Sequence, residues 1–165
     1  MKNMKRMLSF VIAISMLLAA CSGPSSEEQD AKQLVTDYKK AMLEVKDYRE
    51  IKLDDDSFYT DKENKIKAFF TEKGSKVLVN REFMLYIVNA ARNKHNLEMG
   101  EVQLRSMKEE SDVYDYEYLI PVRVKDEAGK LLEELEYKGQ VKLTKENGRL
   151  LIDREWSRPM KPLLW

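Results

Sequence analysis

From Tyr114 to Lys125 the chain reads YDYEYLIPVRVK. Tyr114, Tyr116, Tyr118, Ile120, Val122 and Val124 share one side of a two-residue period, and Asp115, Glu117, Pro121, Arg123 and Lys125 share the other. A β-strand sends alternate side chains to opposite faces, so this pattern predicts a long strand with one apolar face and one wet face. Leu119 is the one apolar residue on the polar side. Two turn signals follow it. Asp126-Glu127-Ala128-Gly129 and Lys145-Glu146-Asn147-Gly148 punctuate the next apolar runs, and Asn-Gly is the strongest short hairpin signal.

The two turns predict registers. With Lys125 opposite Lys130, Ile120 meets Leu135, Tyr118 meets Tyr137 and Tyr116 meets Gly139. Val122 then meets Glu133, a misfit. With Glu146 opposite Arg149, Leu143 meets Ile152, Lys142 meets Asp153, Val141 meets Arg154 and Gly139 meets Trp156. Apolar pairs and opposite charges then sort mostly onto separate faces, as a correct register requires. Gly139 falls under aromatic rings, where a bent sheet tolerates a residue without a side chain. Val102–Met107 is expected to add a strand before Tyr114.

Upstream of Gly100 the period is that of a helix. Ala31, Leu34, Val35, Tyr38, Ala41, Met42, Val45 and Tyr48 recur at spacings of three and four and predict one long amphipathic helix. Ile51–Tyr59 reads as a loop. Thr60-Asp61-Lys62-Glu63 has the form of a capping box, and Gly74 is a plausible stop, which brackets a second helix burying Ile66, Phe69 and Phe70. Lys76–Val79 is expected as a brief strand. Asn80 then caps a third helix, Arg81–His95, with Phe83, Met84, Ile87, Val88 and Ala91 on its apolar stripe.

The amino terminus has a separate character. Met1–Arg6 is cationic, Met7–Ala20 is apolar apart from Ser9 and Ser15, and the stretch ends Leu18-Ala19-Ala20-Cys21. About 20 apolar residues are needed to span a bilayer, so this segment reads as an export signal over residues 1–20. Its end resembles the lipobox of bacterial lipoproteins. The resemblance implies cleavage before Cys21, a thioether lipid on Cys21, and palmitate-type acyl chains holding the mature chain at a membrane outside the cytoplasm. Where a cell has two membranes, Ser22 would permit sorting to the outer one. Residues 21–30, small and polar, read as a flexible tether that reaches about 30 Å when extended.

Residues 31–158 form one expected domain, and 159–165 an apolar tail punctuated by Pro159 and Pro162. The domain is α+β: N-terminal helices packed on a curved antiparallel sheet of about four strands. That order resembles the nuclear transport factor two-like fold, within the cystatin-like architectures, in which a bent sheet wraps a helix to form a cone. Such cones serve as enzymes, binding modules and structural domains, so the likeness implies no single function.

Composition excludes several classes. The whole chain has 29 cationic and 29 acidic side chains, and beyond residue 20 the count is 26 against 29. No basic excess marks a nucleic-acid binder. One Cys excludes an internal disulfide framework, and one His excludes a multi-histidine metal centre. No Gly-rich phosphate loop, nucleophile elbow or zinc spacing is present, so no catalytic residue and no cofactor are assigned.

Five residues are candidates for a pocket: Tyr116, Tyr118, Tyr137, Arg154 and Trp156. Arg154 interrupts the inward series Leu150, Ile152, Trp156. It could bind an anionic group at the mouth of the cone, or reach water or pair with Glu82 or Glu101. The tyrosines, with Tyr114, could line a site for a small amphipathic ligand or pack under a helix. His95 reads as a helix-terminal residue facing carbonyls rather than a general base. Asp54-Asp55-Asp56 lacks the alternating ligands of a calcium loop. The tail could cover the sheet, bind a partner, or dip into the interface through Trp165.

The resulting expectation is a lipid-anchored module outside the cytoplasm that binds an envelope protein or ligand without catalysis. The alternatives are an accessory subunit of a membrane assembly and an enzyme using a cone pocket.

Overall fold

A computed structural model describes residues 25–77 and 82–160. The elements run α1 (Ser26–Leu43), a 3-10 turn (Tyr48–Glu50), α2 (Asp56–Lys67), α3 (Glu72–Val77), α4 (Glu82–Arg92), β1 (Asn96–Met99), β2 (Gln103–Glu110), β3 (Val113–Lys125), β4 (Leu131–Glu146) and β5 (Arg149–Ser157). The helices pack on one face of a curled, all-antiparallel sheet, an α+β architecture. Strands β3, β4 and β5 lie side by side, and β1 and β2 pair in succession along the other edge of β3. The export signal, Cys21 and its lipobox, the expected cap Asn80 and residues 161–165 lie outside the described residues.

Helix α1 starts earlier than expected. The Ser25 side chain accepts from the Glu28 amide at 3.1 Å, and Glu27 and Glu28 sit in the first turn, where the helix dipole favours acids. Ser26–Asp30 is therefore helical, within the stretch expected to be tether. The helix ends at Leu43, not Tyr48. Val45 is nevertheless buried, because its backbone bonds to Leu97 in both directions at 2.9 Å.

Helix α2 begins at Asp56 rather than after Thr60. Asp55 accepts from the Ser57 amide at 2.9 Å, so the acidic run supplies a cap instead of a free loop. Gly74 does not end a helix. It lies inside α3, where an added Cβ would stand 2.7 Å from the carbonyl oxygens of Ile152 and Asp153. Its missing side chain lets α3 rest against β5. Lys76 and Val77 close that helix instead of starting a strand. Helix α4 ends at Arg92, short of His95, and Asn96–Met99 turns back as a strand beside Val122–Lys125. That short strand was not anticipated.

The face assignments for β3 hold throughout: Tyr114, Tyr116, Tyr118, Ile120, Val122 and Val124 are all buried. The first hairpin is displaced by two residues. Tyr118 faces Gly139, Ile120 faces Tyr137, and Val122 faces Leu135. Lys125 pairs with Leu131 and Val124 with Glu133, which leaves Leu132 as an extra residue on β4. A shift of two preserves every face, gives Val122 the apolar partner Leu135 and moves Glu133 opposite Val124 beside the extra residue. The second hairpin starts in the expected register, Glu146 with Arg149 and Leu143 with Ile152. Then Lys142 pairs with Arg154, so Asp153 is inserted. A shift of one exchanges the two faces. Beyond this bulge Glu155 points toward the helices, and Arg154 and Trp156 point away.

The bulge has a visible support. The Ile152 amide donates to Phe69 O and its carbonyl accepts from Thr71 N, both at 2.9 Å, so the loop between α2 and α3 grips β5 there. Thr71 Oγ1 lies 3.5 Å from an Asp153 carboxylate oxygen, and the Lys73 ammonium lies 3.8 Å from the other.

Candidate functional site

The one-residue shift on β5 builds the polar centre of the molecule. Glu155, delivered inward, meets Lys39 from the middle of α1: Nζ lies 2.9 Å from Oε1. The Lys39 side chain is fully buried, and that of Glu155 is 12% exposed. The Lys39 ammonium also sits over three aromatic rings, 4.7 Å from the centroid of Tyr38, 4.5 Å from Tyr118 and 4.6 Å from Tyr137. A cation is attracted to the negative face of each ring, which offsets part of its lost hydration. The Tyr118 hydroxyl donates to Glu155 Oε1, and the Tyr38 hydroxyl lies 3.4 Å from Oε2.

The same arrangement fixes the tyrosines in their neutral form. Burial, then the neighbouring Glu155 charge, pushes the Tyr38 and Tyr118 hydroxyls far above the ordinary phenol range. Neither would act as a base near neutral pH. Gly139 completes the packing. A Cβ there would collide with the Tyr118 ring and hydroxyl and with the Trp156 carbonyl. A ring does cover the mid-strand glycine as expected, but it is Tyr118, across the ladder from it.

The five expected pocket residues do not gather in the interior: Tyr118 with Trp156, and Tyr116 with Arg154 and Trp156, border separate grooves on the outer face. Tyr116, Tyr118 and Tyr137 are buried on the helix-covered face, at 5%, 2% and 3% exposure. Arg154 and Trp156 lie on the opposite face, and Trp156 is 55% exposed. Arg154 therefore does not rim an interior pocket. Its suggested partner Glu101 pairs with Lys32 at 2.5 Å instead. The residues missed were Lys39 and Glu155. Lys39 carried a weak signal, since it follows Tyr38 on the edge of the apolar stripe of α1.

The outer face of the sheet holds two neighbouring grooves, of about 420 and 490 Å³, which share Gln140 and Trp156. Arg105, Glu117, Leu119, Lys138 and Arg158 line the first; Met107, Lys108, Asp115, Lys142 and Arg154 line the second. The Arg158 guanidinium lies 6.0 Å from the Trp156 ring.

His95 follows the end of α4, its amide bonded to Ala90 O at 2.8 Å. Among the described residues no three His, Cys, Asp or Glu side chains are grouped to hold a metal ion, and no helix is long and apolar enough to cross a membrane. Met160 is buried, and its amide donates to the Tyr86 hydroxyl at 2.9 Å, so the start of the C-terminal tail folds back onto α4.

No protein-family model matches the sequence, and no curated protein matches it. Solved structures do share its shape. An IcmL-like type IV secretion system protein from Legionella pneumophila superposes with a TM-score of 0.56 at 12% identity, over 87% of this chain and 99% of that one. The periplasmic domain of DotI gives 0.53 at 11% identity, over 85% and 99%. An NTF2-like protein involved in plasmid conjugation gives 0.49 at 12% identity, over 85% of this chain and 52% of that one. At such identities the likeness to the first two speaks to the fold alone.

Proposed function

We propose that this chain is a non-catalytic accessory subunit of a membrane-held assembly outside the cytoplasm, anchored through lipidated Cys21 and engaging protein partners through its surface. One observation carries the reading. The centre of the cone, where a small substrate would have to enter, is occupied by the chain's own Lys39–Glu155 pair and three tyrosines, while the outer face presents grooves around an exposed tryptophan.

Two further points support it. The fold is shared with a type IV secretion system protein and with a periplasmic domain. The early start of α1 leaves only residues 22–25 between Cys21 and the helix. At about 3.5 Å per residue the leash reaches roughly 17 Å, which holds the body close to the lipid surface. A lipid of two or three acyl chains on Cys21 would make that attachment stable.

The test is fractionation of cells expressing the full chain or its Cys21→Ser variant, with fatty-acid labelling and sizing after gentle solubilisation. The expected result is labelling and membrane retention that depend on Cys21, and migration in a complex larger than one chain. A labelled, membrane-bound protein that always sizes as a monomer would refute the accessory role. A Cys21→Ser chain as firmly bound as the parent would refute the anchor.

A further inference from the structure

The two outer grooves differ in charge from the rest of the body. Beyond residue 20 the chain has more acids than bases. The groove linings reverse this: Arg105, Lys108, Lys138, Lys142, Arg154 and Arg158 stand against Asp115 and Glu117. Four of these cations have acidic neighbours on the surface, Lys142 with Asp115 at 3.6 Å, Arg105 with Glu117 at 3.9 Å, Lys138 with Glu136 at 2.6 Å and Lys108 with Glu110 at 2.9 Å. Arg154 and Arg158 form no ion pair among the described residues. They flank Trp156 in sequence at two-residue spacing, on the outer side of β5 and its continuation. An exposed Trp flanked by two guanidinium groups that make no ion pair among the described residues, one of them 6.0 Å from its ring, has the Trp and Arg composition enriched where binding energy concentrates at protein interfaces.

We infer that the outer face of β2–β5, centred on Trp156 between Arg154 and Arg158, is the docking surface for an acidic segment of a partner protein that carries an apolar anchor. This rests on the accessory-subunit reading and deepens it. Charge complementarity selects the acids, which pair with guanidinium groups in two-pronged geometry. The recesses on either side of Trp156 select a chain segment over a bilayer. Side chains can fill two grooves of this size, whereas a lipid surface needs an apolar cluster that projects. The inserted Asp153 is what creates the surface. Without it Arg154 and Trp156 would face the helices and Glu155 would face solvent.

The experiment uses the full lipidated chain with Trp165→Phe, in nanodiscs of neutral phosphatidylcholine, so that emission reports Trp156 alone. It is titrated with a synthetic 14-residue peptide of alternating acidic residues and leucine, with the same peptide carrying lysine for each acid, and with phosphatidylglycerol vesicles. The expected result is a blue shift with the acidic peptide only. The dissociation constant should weaken at least tenfold in Arg154→Glu/Arg158→Glu and weaken also in 0.5 M salt. Absence of a shift, equal binding of the basic peptide, or unchanged affinity in the double variant would overturn the proposal. A shift with vesicles and not with the acidic peptide would overturn it in favour of a membrane surface. The two readings fail separately. If the large complex persists in cells when the double variant replaces the parent, this surface is wrong and the accessory role stands; if the parent chain is always monomeric, the accessory role itself is wrong.

Discussion

The ammonium of Lys39 lies 2.9 Å from Oε1 of Glu155, with no part of the lysine side chain in contact with solvent. Two charges removed from water are tolerated only because each has further partners, the rings of Tyr38, Tyr118 and Tyr137 for the cation and the hydroxyls of Tyr38 and Tyr118 for the carboxylate. The pair joins the first helix to the last strand, 116 residues apart in sequence, and so ties the two ends of the fold together.

Removing one charge should cost far more than removing both. Glu155→Gln leaves Lys39 buried without its counter-charge and is expected to lower stability by about 3–5 kcal/mol. Lys39→Met combined with Glu155→Gln should lie within about 2 kcal/mol of the parent, because neither charge then needs hydration. Urea unfolding of the two single variants and the double variant gives the coupling directly. A double variant as unstable as the sum of the singles would refute the pairing.

The tyrosines set an alkaline limit. Both hydroxyls are raised above the ordinary value near 10, so below that pH folded and unfolded chains bind the same phenolic protons and stability does not depend on them. As pH rises above about 10 the unfolded chain ionises and the folded one does not. Stability then falls by about 1.4 kcal/mol per pH unit for each of Tyr38 and Tyr118. Urea midpoints between pH 8 and 11 should be flat and then drop. Tyr114 and Tyr116 are raised as well and add to the drop, so Tyr118→Phe should make it shallower without abolishing it.

How much of this the sequence disclosed depends on the reach of the interactions concerned. The inward face of β3 was plain because alternation over twelve residues is a local property. The first turn was placed correctly, yet its partners were two residues off. A five-residue loop and the extra Leu132 are small backbone choices that the side-chain pattern does not record. The helix starts are written locally in the sequence. Ser25 and Glu28 have the spacing of a capping box, and Asp55 with Ser57 forms an earlier cap than Thr60. The bulge at Asp153 was out of reach. Its support comes from Phe69, Thr71 and Gly74, some 80 residues away, and only their contact with β5 makes the extra residue tolerable. The candidate site was therefore split, with Tyr118 and Tyr137 correctly inside and Arg154 and Trp156 on the wrong side.

Gly139→Ala tests the close approach beneath Tyr118. An added methyl group would meet the Tyr118 ring and the Trp156 carbonyl, and the latter is backbone that cannot swing aside. We expect a loss of about 2–4 kcal/mol, above the usual cost of overpacking because two strands and the Glu155 network must shift together. Gly139→Ala with Tyr118→Phe should recover little, since the carbonyl clash remains. Thermal unfolding of both variants decides the point, and a Gly139→Ala protein as stable as the parent would refute this packing.

Adjacent residues on β5 should give opposite outcomes, and the contrast reads the register without a structure. Arg154 is exposed on the outer face, so Arg154→Glu should change stability by no more than about 0.5 kcal/mol. Glu155→Lys places a second cation against buried Lys39 and should prevent stable folding. Trp156→Ala removes a half-exposed ring and should cost about 1 kcal/mol or less, whereas a core tryptophan costs about 3–5. With Trp165→Phe as background, emission from Trp156 should be red-shifted and readily quenched by acrylamide. The unbulged register makes the reverse prediction at each of the three positions: Arg154→Glu and Trp156→Ala would be severe, Glu155→Lys mild, and the tryptophan shielded. Three neighbouring substitutions and one quenching curve therefore separate the two arrangements, because a single inserted residue determines which side chains are buried in the core and which are exposed on the outer face.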